Sequence, residues 1–150
     1  MPNWKTPFEE IEIGTGRKIK DGEELAILTI GHIGNYAVEA CARLEKQGIS
    51  AAHYDLRFVK PLDEKMLHEV FSKFKKIITV EDGAVQGGFG SAVIEFMADH
   101  NYRTEVRRLG IPDAVIEHGE QAELHKECGF DVDGIEKTAL SMLEPVKSVV

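Results

Sequence analysis

The chain has no apolar run approaching the ~18 residues that a membrane-spanning helix needs, so no span is expected. It has only two cysteines, Cys41 and Cys128, far apart in sequence. That scarcity argues against a disulfide scaffold and fits a reducing cytoplasm. The opening residues, Met1-Pro2-Asn3-Trp4-Lys5, lack the apolar core of a signal peptide. Basic residues are in deficit: 18 Lys and Arg stand against 26 Asp and Glu, a net charge of −8. Nucleic acid and anionic membrane both call for a basic surface, so neither is an expected partner. What is present is ordinary for a globular protein: 150 residues, 43% hydrophobic and 29% charged, enough for one domain with a sizeable core.

Residues 1–9 hold Pro2 and Pro7 without periodicity and read as an arm or linker. They form either a disordered tail or an arm that docks Trp4 and Phe8 on a neighbouring domain. Residues 10–150 read as the domain itself. Ile11 and Ile13 alternate with acids, and Gly14-Thr15-Gly16 and Asp21-Gly22 follow, which predicts a short hairpin at the domain entrance. From there strand and helix signals alternate. Apolar runs predict buried strands over 25–30, 50–56 and 77–80, with a fourth over 105–109 nearer an edge, where Arg107 and Arg108 interrupt it. Ala37, Val38, Cys41 and Leu44 mark one helix face, closed by Gly48. Met66, Leu67, Val70, Phe71 and Phe74 mark a second, capped by Asp63, and Ala92, Val93, Phe96 and Met97 a third. A short helix spans 121–128, and a last one, lined by Ile135, Ala139, Met142 and Leu143, carries a capping box of Asp133 and Glu136. Alternating strands and helices mean crossovers. The expected fold is therefore a three-layer α/β/α sandwich, mostly parallel, with an antiparallel edge strand.

Ligands of open α/β sheets collect at the carboxyl ends of the strands. Here those ends carry His32, Asn35, Asp55, Arg57, Glu81, Asp82 and Asp113. Two readings stand side by side: salt bridges, caps and domain contacts, or a ligand-binding rim. Arg57 is expected within ion-pair reach of one of the acids. The turn holding Gly87, Gly88 and Gly90 is neither a dinucleotide fingerprint nor a Walker loop, and reads as close backbone packing. His118, His125 and Cys128 have no established ligand spacing, although His125 and Cys128 share a helix face. Asp131-Val132-Asp133-Gly134 begins like a calcium loop but lacks its later ligands, and reads as helix capping. No catalytic, cofactor or metal residue is assigned.

Four blocks carry a resemblance that covers roughly residues 8–143. They are Ile13-Gly14-Thr15-Gly16-Arg17 with the strand after it, Asp55-Leu56-Arg57-Phe58-Val59-Lys60-Pro61-Leu62-Asp63, Val80-Glu81-Asp82 through Gly87-Gly88-Phe89-Gly90-Ser91, and Leu109-Gly110-Ile111-Pro112-Asp113 with His118-Gly119. Together they resemble the C-terminal domain of the 1-deoxy-D-xylulose-5-phosphate synthase family of the transketolase superfamily. They are less similar to transketolase itself or to a 2-oxoacid dehydrogenase E1 β-subunit. The resemblance implies a third domain that packs beside two upstream thiamine-diphosphate-binding domains and contributes to a homodimer. It implies a parent transferase that uses thiamine diphosphate and magnesium in isoprenoid and thiamine precursor synthesis. Neither the Gly-Asp-Gly…Asn-type motif nor the activating glutamate of those domains is matched here, so the chain alone is expected to be inactive. The rival expectation is a regulatory ligand-binding module that uses the strand-end rim.

Overall fold

Leu25, Ala26, Ile27 and Leu28 put apolar side chains on both faces of one strand, and such a strand is stable only with both faces covered. In the computed structural model, which describes residues 7 and 9–144, this strand is wholly buried inside a five-stranded sheet. The elements in order are β1 (Arg17–Lys20), β2 (Leu25–Thr29), a 3-10 turn (Gly31–Ile33), α1 (Gly34–Lys46), β3 (Ala51–Asp55), α2 (Glu64–Lys73), β4 (Lys76–Ala84), α3 (Phe89–Asp99), β5 (Glu105–Ile111), α4 (Gln121–Glu127) and α5 (Val132–Leu143). The strand order is β1-β3-β2-β4-β5. Four strands are parallel, and β1 lies antiparallel on β3 at one edge. This is the three-layer sandwich with an antiparallel edge strand expected from the alternation of strands and helices.

Period-two alternation sorts the strand residues between two cores. Leu25, Ile27, Ile78 and Val80 face α1 and α5, where they meet Ala37, Leu44, Ile135 and Ala139. Ala26, Leu28 and Ile77 face α2 and α3, where they meet Leu67, Phe71, Phe89 and Val93. Each fully buried Leu, Ile or Phe is worth about 1.5–3 kcal/mol, so both layers contribute heavily to the fold.

Several local expectations are corrected. Residues 11–16 form no strand, and β1 pairs with β3 across the chain rather than within a hairpin. Its partner is set by the exposed edge of β3, which needs hydrogen-bond donors and acceptors. Val38 is half exposed, on the solvent side of α1. The N-cap of α5 is Asp131, which accepts from Gly134 N at 2.9 Å. Asp133 and Glu136 instead meet Arg43 of α1, at 2.7 and 3.4 Å. β4 also runs four residues beyond the expected end at Val80, through both acids, and rejoins β5 at Ala84 opposite Ile111 after an irregularity. Asp63 does cap α2, accepting from Met66 N at 2.9 Å, and β5 does lie at an edge. The proposed docking of Trp4 and Phe8 lies outside the described residues.

Candidate functional site

The order β1-β3-β2-β4-β5 contains a switch point. After β2 the chain moves to one side, through α1 to β3, and then crosses back over β2, through α2 to β4 on the other side. The segments leaving β2 and β4 therefore diverge onto opposite faces and open a crevice at their carboxyl ends, the usual ligand position in such sheets. β2 and β4 are hydrogen-bonded neighbours, with Thr29 opposite Val80. His32 follows β2 by three residues and Asp82 follows Val80 by two, so both reach the crevice.

A third group arrives from elsewhere in the chain. His125, on the short helix α4, is buried and points its Nε2 at Asp82. The Nε2 atoms of His32 and His125 each lie 3.5 Å from Asp82 Oδ2. The other ring nitrogen of His125, Nδ1, is 3.2 Å from the Tyr36 hydroxyl of α1, and the ring packs against Phe130. Beside the cluster lies a cleft of about 440 Å³, lined by Asp82, His118, Leu124, His125, Cys128 and Phe130 among others. Partial burial and neighbouring carboxylates push the Cys128 thiol up from its usual range, so it is not a ready nucleophile at neutral pH.

Glu81 and Asp82 have separate roles because adjacent strand residues point to opposite faces. Glu81 turns toward α3. Its two oxygens accept from Phe89 N at 2.7 Å and Gly90 N at 2.8 Å, holding the first turn of that helix. It is 5% exposed, and its charge meets the positive end of the helix dipole. The glycine-rich turn is built around this carboxylate. A Cβ on Gly88 would collide with Glu81 Oε2 and with the backbone oxygen of Ala84, and a Cβ on Gly90 would crowd Thr79 and Arg108. Gly87, at φ +78°, supplies the left-handed residue of the turn. Close packing accounts for Gly88 and Gly90, whereas the space beside Gly87 is open.

The remaining rim residues separate. Asp55 accepts from Arg17 Nε at 3.0 Å and from Arg57 N at 3.1 Å. Arg57 has φ +56°, and its guanidinium makes no ion pair with a described residue. The expected pair is made by Arg17 instead, because the antiparallel register places Arg17 directly opposite Asp55. His32, Asn35 and Asp55 line a second, smaller cavity of about 210 Å³ together with His53. His53 is buried, its Nε2 lies 2.9 Å from Thr29 Oγ1, and its Nδ1 has no partner among the described residues. Burial pushes its pKa down to about 4. Asp113 is exposed on the loop after β5. Linear spacing weighed His125 against His118 and Cys128 and missed its meeting with His32 and Asp82. Only the strand order and the docking of α4 bring these residues together.

The family model of the transketolase C-terminal domain matches residues 14–135. The chain belongs to the transketolase C-terminal domain family. Among curated relatives of this domain, a 1-deoxy-D-xylulose-5-phosphate synthase of Cytophaga hutchinsonii is 68% identical over 142 residues, covering 95% of this chain and 22% of the relative. A protein of the same name from Bacteroides thetaiotaomicron is 56% identical over 145 residues, covering 96% of this chain and 22% of the relative. The domain thus spans about a fifth of the length of these relatives. Among solved structures, a split-gene transketolase described as an inactive beta4 tetramer matches with a TM-score of 0.84 at 28% identity, over 95% of this chain and 46% of that one. A transketolase of Campylobacter jejuni shares the fold, with a TM-score of 0.62 at 19% identity over 89% of this chain and 19% of that one. No helix among the described residues is long and apolar enough to cross a membrane.

Proposed function

We propose that this transketolase-type domain is the C-terminal part of a thiamine-diphosphate-dependent 1-deoxy-D-xylulose-5-phosphate synthase, and that its role there is structural. In the full enzyme, which joins pyruvate to glyceraldehyde 3-phosphate, the domain packs beside the upstream catalytic domains and contributes to a homodimer in the cytoplasm. The observation that carries this reading is 68% identity across 95% of the chain to a relative of that name. Among the strand-end polar residues, helix capping accounts for Glu81 and ion pairing for Asp55, as a supporting domain requires.

Thiamine diphosphate does not fit the residues of this chain. The amino end of α3, the place in the glycine-rich turn where free amides would receive a phosphate, is filled by the Glu81 carboxylate. The neighbouring cleft carries Asp82 and Glu117, which repel a diphosphate. Cofactor and magnesium therefore belong to the upstream domains. A domain exchange tests the proposal. This chain replaces the corresponding segment of the Cytophaga hutchinsonii synthase, and the chimera is assayed for 1-deoxy-D-xylulose 5-phosphate and for mass by sedimentation. An active dimer is expected. A folded, soluble chimera that neither assembles nor turns over would reject the proposal.

A regulatory module is the second reading, favoured by the cleft of about 440 Å³ at the switch point. Titration of the domain with pathway metabolites and nucleotides tests it. Saturable binding that shifts the resonances of His32 and Asp82 supports a regulatory role, and no binding rejects it.

A further inference from the structure

We infer that His32, Asp82 and His125 form a binding site for a divalent transition-metal ion of the zinc class at the switch point of the sheet. Each side chain offers one ligand atom, and the three atoms lie within 4.8 Å of one another. Both imidazole Nε2 atoms are 3.5 Å from the same carboxylate oxygen. A tetrahedral zinc with bonds of about 2.0–2.1 Å separates its ligand atoms by about 3.4 Å. Small rotations of the side chains, two of which are partly exposed, would close the set around an ion.

The surroundings fit the same ion. A metal-binding imidazole commonly donates its second N–H to an oxygen, which fixes the ring and strengthens the ligand nitrogen. His125 is arranged this way, with Tyr36 Oη 3.2 Å from Nδ1 while Nε2 faces Asp82. Its ring is 95% buried, held between Tyr36 and Phe130, so half of the site is preorganised. The ligand chemistry also selects. Two imidazoles and a carboxylate suit zinc, cobalt, nickel or iron, whereas magnesium and calcium prefer all-oxygen sets. Glu81, the adjacent acid, is not available as a ligand because both its oxygens hold the amides of α3. Three protein ligands leave a coordination position, and Asp82 and His125 both line the cleft onto which it opens. Water would fill that position in the free domain. The site would stand whether the domain is purely structural or regulatory.

The test uses the 150-residue chain without a histidine tag, stripped with chelator and titrated calorimetrically with Zn²⁺. One ion per chain is expected, with a dissociation constant on the order of micromolar. Co²⁺ in place of Zn²⁺ should give visible absorption bands of low coordination number. His32→Ala and Asp82→Ala alter side chains that are partly exposed, so both variants should fold as judged by circular dichroism, and each should weaken binding about 10-fold or more. Cys128→Ser should leave binding unchanged, and a large excess of Mg²⁺ should not displace the ion. Absence of stoichiometric Zn²⁺ binding would overturn the inference. So would binding of equal strength in His32→Ala and Asp82→Ala, which would place the ion elsewhere in the cleft.

Discussion

Glu81 shows how one side chain explains several of its neighbours. A carboxylate on a sheet surface at 5% exposure requires hydrogen-bond donors, and the first two amides of α3 supply them. Glu81→Ala would leave those amides unsatisfied, and a loss of about 3 kcal/mol in urea denaturation is expected. Gly88→Val would force a side chain into the same carboxylate and the Ala84 carbonyl, with an expected cost of about 1–3 kcal/mol. Melting curves identical to the parent for both variants would contradict this account. The glycines were legible in the sequence as a place of close approach, but their partner was not, because Glu81 looked like a strand-end acid facing solvent. His53 gives a separate residue-scale expectation. Its folded pKa lies near 4, against about 6.5 for the unfolded chain, because burial disfavours the charged ring. Above pH 6.5 neither state binds the proton and the full stability is present. As pH falls from 6.5 to 4 the unfolded state takes up a proton that the folded state refuses, so stability declines, on the order of 3 kcal/mol over that window. His53→Gln should remove this contribution to the pH slope, measured by urea denaturation at steps between pH 7 and 4.

At the scale of the element, the sequence displayed what repeats along the chain and hid what depends on a partner. All four parallel strands were readable because apolar runs between helical stripes leave few alternatives. The end of β4 was not, because Glu81 and Asp82 look like a boundary. Backbone pairing tolerates both acids once each finds donors on its own side of the sheet. The cap of α5 was misplaced for a related reason. Asp133 and Glu136 have the spacing of a capping box, but Arg43 on α1 draws both outward, and Asp131 takes the cap. The two roles differ in energy. Asp131→Ala should cost about 1 kcal/mol, the usual value of an N-cap. Asp133→Ala removes one arm of a surface ion pair and should cost at most about 1 kcal/mol, less in high salt. Thermal melts of both variants at low and high salt check this, and a salt-independent loss at Asp133 that exceeds the loss at Asp131 would reverse the assignment.

At the scale of the whole molecule, the topology that places His32, Asp82 and His125 together could not be read from spacing, because it depends on strand order and on a helix contributed from more than forty residues further along. The same topology bears on what the chain is expected not to bind. A thiamine diphosphate site needs amides or cations free to meet the diphosphate. At the sheet's carboxyl ends the amides of α3 are already held by Glu81 and Arg17 is paired with Asp55; Arg57, which has no ion pair with a described residue, lies beside that same Asp55 carboxylate, which accepts from its backbone N. The cleft at the switch point carries Asp82 and Glu117, and the chain as a whole has a net charge of −8. At several ångströms the repulsion between a diphosphate and a carboxylate costs on the order of 1 kcal/mol per charge pair in water, and more in a partly enclosed cleft. No binding of thiamine diphosphate is therefore expected, with or without magnesium, and no synthase activity from the chain alone. Calorimetric titration with cofactor and Mg²⁺ should show no saturable heat at millimolar ligand. Binding in the micromolar range would mean that this domain holds the cofactor itself, and the assignment of the catalytic groups to upstream domains would fall with it.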